Sequence, residues 1–129
     1  MILLDTCAII WDALDAGRLS REAASAIERY RNELVICDIS LWEIAMLIHK
    51  QRLELDCSAS AFIRLVLDAR NYSVQEITPE IAELSVSFGK EINADPADRL
   101  IVASSILRNA PVVTIDSDLR QASVVKTIW

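Results

Sequence analysis

Short, continuous apolar runs alternate with longer stretches of helical periodicity from one end of the chain to the other. The predicted strands are Ile2 to Leu4, Leu34 to Cys37, Val74 to Ile77, Val112 to Ile115, and a short last one near Val124 to Lys126. Most lack polar alternation, as expected of strands covered on both faces. Between them, Ala23, Ile27 and Tyr30 make one helical stripe, and Phe62, Leu65, Val66 and Ala69 follow the i, i+3, i+4, i+7 rule. Ile81, Leu84 and Phe88 make a third, behind Thr78-Pro79, which reads as an N-cap followed by proline at the first helical position. Leu100, Ile101, Ile106 and Leu107 spread widely around their helix, which predicts one covered on several sides. No linker, repeat or charge block interrupts the alternation. The pattern predicts an α/β fold, residues 1–129 forming one domain with a mainly parallel central sheet of about five strands flanked by helices.

Four carboxylates sit at the punctuation points of this pattern. Asp5 ends the first apolar run, Glu43 follows Ser40 behind Leu34 to Cys37, Asp98 lies in Asp95-Pro96-Ala97-Asp98-Arg99, and Asp116 follows Val112 to Ile115. Open α/β sheets bind ligands beyond the carboxyl ends of their strands, so all four acids are expected at one edge. Four uncompensated carboxylates within a few ångströms repel strongly, and such a cluster requires protonation or a cation. Oxygen-only ligands suit Mg²⁺ or Mn²⁺.

Each acid also has a purely local reading. Ser40-Leu41-Trp42-Glu43 fits a capping box, in which the glutamate bonds back to the cap residue's amide. Asp95 can cap a helix that Pro96 opens, with Asp98 meeting the helix dipole. Asp5 can form a turn or cap with Thr6, and either Asp116 or Asp118 can cap the short helix that follows. What the local readings leave unexplained is why all four acids fall at one sheet edge.

Composition removes other chemistries. With only Gly17 and Gly89 as glycines, neither a P-loop nor a dinucleotide-binding turn is present. The single histidine, His49, leaves no multi-histidine metal site, and the only nucleophilic pair open to it is with Cys7. Cys7, Cys37 and Cys57 have no CxxC spacing and read as reduced thiols in or near the core. Trp11, Trp42 and Trp129 read as packing residues, because no basic residues interleave with them. A formal net charge of -6 argues against gripping nucleic acid by bulk electrostatics, although cations held by the acids would reverse the local field. No apolar stretch has the length to span a bilayer, and no basic leader precedes Asp5, so a cytoplasmic protein without membrane association is expected.

Leu4-Asp5-Thr6, Ser40-Leu41-Trp42-Glu43-Ile44, Asp95-Pro96-Ala97-Asp98-Arg99-Leu100-Ile101 and Val113-Thr114-Ile115-Asp116, in that order, closely resemble the PIN-domain ribonucleases. More narrowly, the order resembles the VapC-type toxins of bacterial and archaeal toxin-antitoxin systems. The resemblance spans essentially the whole chain. It implies that Asp5, Glu43, Asp98 and Asp116 form the Mg²⁺ or Mn²⁺ site of an endoribonuclease. It further implies that Thr6 and Thr114 support the pocket, that Ser40 caps the helix bearing Glu43, and that Asp95 is a supporting member. Related sequences often carry histidine at Cys7 and a basic residue at Ala94, which places fine substrate contacts, more than the metal site, in question. Arg99 is open between a phosphate contact and a salt-bridge partner.

The implied partners are an RNA substrate, a cognate antitoxin laid over the acidic site, and a second copy of the chain. The homodimer surface would come from Trp42 to Ile48 with the Phe62 helix. Two rival readings compete with the nuclease. An aspartate-based, Mg²⁺-dependent phosphatase would need a second aspartate two residues after Asp5, where Cys7 stands. A non-catalytic interaction module would use the acids only as helix caps.

Overall fold

The computed structural model describes residues 1–129. Its element order is β1 (Ile2–Leu4), α1 (Thr6–Leu14), a short 3-10 turn (Ala16–Arg18), α2 (Arg21–Arg29), β2 (Leu34–Cys37), α3 (Asp38–His49), α4 (Ala59–Arg70), β3 (Ser73–Gln75), α5 (Pro79–Ser87), α6 (Pro96–Arg108), β4 (Val112–Val113), α7 (Ser117–Gln121) and β5 (Thr127–Ile128). The five strands form one sheet in the order β3-β2-β1-β4-β5, and every pairing is parallel. The chain winds outward from β1 through β2 to β3, then returns to the other side of β1 for β4. The switch therefore lies between β1 and β4, where doubly wound sheets open a crevice.

Alternation along the strands divides the core. Ile2, Leu4, Leu34, Ile36 and Val113 pack with Ile9, Ile27, Phe62 and Val66 on one face. Leu3, Val35, Cys37 and Val112 pack with Ile101, Val102 and Leu119 on the other. Successive side chains point to opposite faces of a strand, and both faces are apolar because helices cover both. With so little glycine, helices α4 and α6 end on left-handed asparagines, Asn71 at φ 53° and Asn109 at φ 50°, which tolerate that conformation better than most side chains.

Several local expectations are corrected. β3 covers Ser73–Gln75 rather than 74–77, because Ile77 N–H leaves the sheet to donate to Asp38 Oδ2 at 3.1 Å. β4 stops at Val113. The last strand is Thr127–Ile128 rather than 124–126; Val125 is buried in the core, and pairing with Val112 begins at Thr127. On α4, Phe62 and Val66 are buried, but Leu65 and Ala69 are exposed. On α6, the buried positions run from Ala97 to Ser105, and Ile106 and Leu107 are exposed. Trp11 and Trp129 pack at a centroid distance of 5.8 Å, with Arg18 over Trp11, whereas Trp42 is 56% exposed. Only Cys37 lies in the core; Cys7 and Cys57 are exposed. Thr78 does cap α5 with Pro79 behind it. No helix is long and apolar enough to cross a membrane.

Candidate metal centre

The fold brings Asp5, Thr6, Glu43, Asp95, Asp98 and Asp116 to one cleft at the carboxyl edge of the sheet, walled by Cys7, Ile10, Leu47, Ile101 and Ile115. Asp5 and Asp116 arrive at the β1/β4 switch. Asp5 is the N-cap of α1, its Oδ1 accepting from Ala8 N–H at 2.8 Å. Asp116 is the N-cap of α7, accepting from the amides of Asp118 and Leu119. Asp118 is exposed and plays no such part. Asp95 caps α6, and Asp98 stands in that helix's first turn with Pro96 ahead of it.

Glu43 reaches the cleft differently from the capping-box expectation. Helix α3 follows β2 without a loop and begins at Asp38, with Cys37 as its N-cap residue. Ser40 is therefore inside the helix and fully buried, so it caps nothing. Its hydroxyl lies 3.0 Å from Thr6 Oγ1, which is also 2.5 Å from Glu43 Oε1. A hydroxyl has one proton, and the carboxylate, which can only accept when ionised, takes it from Thr6. Thr6 thus holds Glu43 in place across the sheet edge, with Ser40 behind. Thr114 is fully buried; its hydroxyl accepts from Asp116 N–H at 3.0 Å and faces Asp5.

Burial and crowding set the electrostatics. Asp5 is 7% exposed, and desolvation pushes its carboxyl up to about 6, against the opposing bonds from Thr114 and Ala8 and with help from Asp98 and Asp116. Burial likewise raises Glu43 and Asp98 above the ordinary carboxylate range, opposed by the Thr6 and Asn93 bonds and reinforced by neighbouring acids. The Cys7 thiol at the rim is also raised, by burial first and then by Asp5, which removes it as a nucleophile near neutral pH.

As the side chains stand, no three of these acids approach closely enough to grip one ion together. Asp5, Glu43, Asp98 and Asp116 are each bonded to a protein donor instead. The donor set nevertheless fits a hard divalent cation. It offers carboxylate oxygens from four segments, and the charged forms of three are disfavoured until a positive charge compensates them. Arg99 stands apart. Its guanidinium donates to the carbonyls of Ser85, Phe88, Gly89, Ile92 and Asn93 and makes no bond to Asp98. Asn93, absent from the sequence expectations, donates to Asp98 Oδ2 at 2.9 Å.

A profile of the PIN domain family matches residues 2–125. The chain belongs to that family. It is similar to Ribonuclease VapC22 of Mycobacterium tuberculosis, with 34% identity over 99% of this chain and 98% of the relative. Among solved structures, this PIN domain is similar to a toxin-antitoxin complex from Klebsiella pneumoniae, at TM-score 0.69 and 24% identity over 97% of this chain and 95% of that one. It is also similar to DNA-bound VapBC from Salmonella typhimurium, at TM-score 0.71 and 16% identity over 98% and 97% of the two chains. At those identities the structural likenesses establish the fold.

Proposed function

We propose that this PIN domain is a divalent-metal-dependent endoribonuclease acting as the toxin of a toxin-antitoxin pair. The observation that carries the reading is the gathering of Asp5, Glu43, Asp98 and Asp116 at one cleft, with three of the carboxyls raised first by burial and further by neighbouring acids. A fold does not by itself specify chemistry, so the argument rests on this site and on the whole-length relative that bears a ribonuclease name.

Asp5, Glu43, Asp98 and Asp116 would hold Mg²⁺ or Mn²⁺. Such an ion supplies Lewis acidity toward a phosphodiester oxygen and makes a nucleophile of water at neutral pH. The chain supplies the rest. Thr6 fixes one Glu43 oxygen, Thr114 steadies Asp5, and Ile10, Leu47 and Ile101 exclude bulk water from one wall. With no histidine lining the cleft, proton transfer would fall to carboxylates outside the coordination sphere or to water.

The same acidic cleft would receive a basic side chain of an antitoxin partner, a reading supported by the fold's similarity to a toxin-antitoxin complex and to VapBC. A homodimer would bury the exposed Trp42 and Leu65, although Phe62 itself faces inward.

The competing interaction-module reading has an observation in its favour, because Asp5 and Asp116 do cap helices. Capping does not require Asp5 to be buried at the cost of its charge, and neither Glu43 nor Asp98 caps anything. Cleavage of total RNA with Mn²⁺, paired with calorimetric Mn²⁺ titration, separates the two. The nuclease reading expects cleavage and Mn²⁺ binding by the wild type, with both lost in Asp5→Asn and Asp98→Asn. Undiminished cleavage by those variants, or none by the wild type, overturns it.

A further inference from the structure

Arg99 has five N–H donors, and all are committed to one segment. Nε donates to Asn93 O at 2.8 Å, Nη1 to Phe88 O at 2.8 Å and Ser85 O at 3.5 Å, and Nη2 to Gly89 O and Ile92 O, both at 3.1 Å. The guanidinium thereby binds the turn between α5 and α6 to the first turns of α6. Lysine offers three donors and no planar fork, and could not gather these carbonyls.

The last residue of the gathered segment bears directly on the acidic cleft. While Asn93 O accepts from Arg99, its side chain bridges two neighbours: Oδ1 accepts from Asp95 N–H at 2.9 Å, and Nδ2 donates to Asp98 Oδ2 at 2.9 Å. The amide cannot be reversed, because its NH₂ would then face the Asp95 N–H and its oxygen would face the Asp98 carboxylate. Asp95 Oδ1 completes the frame by accepting from Ala97 and Asp98 N–H. Asp98 is thus held by its backbone through Asp95 and by its carboxylate through Asn93. Oδ2 is committed to the amide, and Oδ1 is the oxygen with no protein donor.

We infer that Asn93, itself fixed by the Arg99 clamp, is a positioning residue that orients the Asp98 carboxylate for the cation. The role rests on the metal-dependent reading above and deepens it at one ligand. Groups that orient metal-binding side chains typically change metal affinity or activity about 10- to 100-fold when removed. Free of Nδ2, Asp98 would sample other rotamers, and the cost would appear in cation affinity rather than in the fold.

Asn93→Ala and Arg99→Gln are the variants, with calorimetric Mn²⁺ titration, thermal unfolding in chelator and RNA-cleavage kinetics as readouts. Asn93→Ala should unfold at nearly the wild-type temperature and bind Mn²⁺ about tenfold more weakly. Its lost cleavage should return as Mn²⁺ is raised, with KM for RNA little changed. Arg99→Gln should lose Mn²⁺ affinity in the same direction and also unfold at lower temperature. An Asn93→Ala protein that binds Mn²⁺ like the wild type overturns the positioning role, whatever Arg99→Gln does. If the wild type binds Mn²⁺ but cuts no RNA, the ribonuclease reading falls while the Mn²⁺ comparison still tests Asn93. If the wild type binds no Mn²⁺, both fall.

Discussion

Asp5 carries the largest conflict between stability and function in the chain. Its carboxyl is held at about 6 by burial, against an ordinary 3.8. Between those values the folded state keeps a proton that the unfolded state has released, so stability falls as pH rises through the interval. The penalty is absent below about pH 4 and complete above about pH 6, at a cost of about 3 kcal/mol at most. An Asp5→Asn side chain would keep the oxygen that caps Ala8 without carrying the charge. In chelator, that variant is therefore expected to unfold at a higher temperature than wild type at pH 7.5, with the advantage fading toward pH 4. In saturating Mn²⁺ the order should reverse, because only the wild type gains stability from the ion. Thermal unfolding at several pH values with and without Mn²⁺ checks both. The position of Asp5 at the cleft was legible because aspartate is a poor strand former placed at a strand's end. Glu43's geometry was not. Its apparent partner Ser40 is three residues away, but its actual donor, Thr6, is 37 residues away, and local motifs do not report such a pairing. Asn93 left no signal for the same reason: one asparagine before a proline-opened helix reads as a turn residue.

At the level of elements, the strand–helix alternation and the crevice at the sheet edge were readable because periodicity and burial act over many residues. Strand ends were not, because they depend on where a backbone amide finds a partner outside the sheet, as Ile77 does at Asp38. The ties between elements were equally invisible. Arg70, ending α4, makes a two-bond pair with Asp12 of α1 at 2.8 and 2.7 Å, and the Tyr72 hydroxyl adds a third bond at 3.2 Å. The Asp12 side chain is 4% exposed and Arg70 36%. Removing the cation leaves a buried carboxylate with only the phenol, whereas removing both members leaves no orphan charge. Arg70→Ala should cost about 2–3 kcal/mol, discounted from the fully buried case because Arg70 is partly in water. Asp12→Asn combined with Arg70→Ala should recover part of that loss. Urea unfolding of the wild type, Asp12→Asn, Arg70→Ala and the double variant measures the coupling directly.

Across the whole molecule, charge and chemistry meet at one edge of the sheet. A net charge of -6 opposes RNA binding, and on the proposed function four of the acids line the cleft that a phosphate would enter. RNA should therefore associate weakly in chelator and more tightly once Mg²⁺ or Mn²⁺ compensates the cleft, because a bound divalent ion dominates the local field. The same acids make metal uptake depend on protons. Asp5, Glu43 and Asp98 all hold protons above the ordinary carboxylate range, and each must be ionised to ligate. Mn²⁺ binding is then expected to release protons and to weaken as pH falls through about 6, where Asp5 takes up its proton. Titration at pH 7.5 and 5.5, in buffers of different ionisation enthalpy, measures both the affinity and the protons released. Ligation by Asp5 requires weaker binding at pH 5.5 with proton release growing there. An affinity indifferent to pH over that range would mean that Asp5 stays outside the coordination sphere and serves only as the cap of α1.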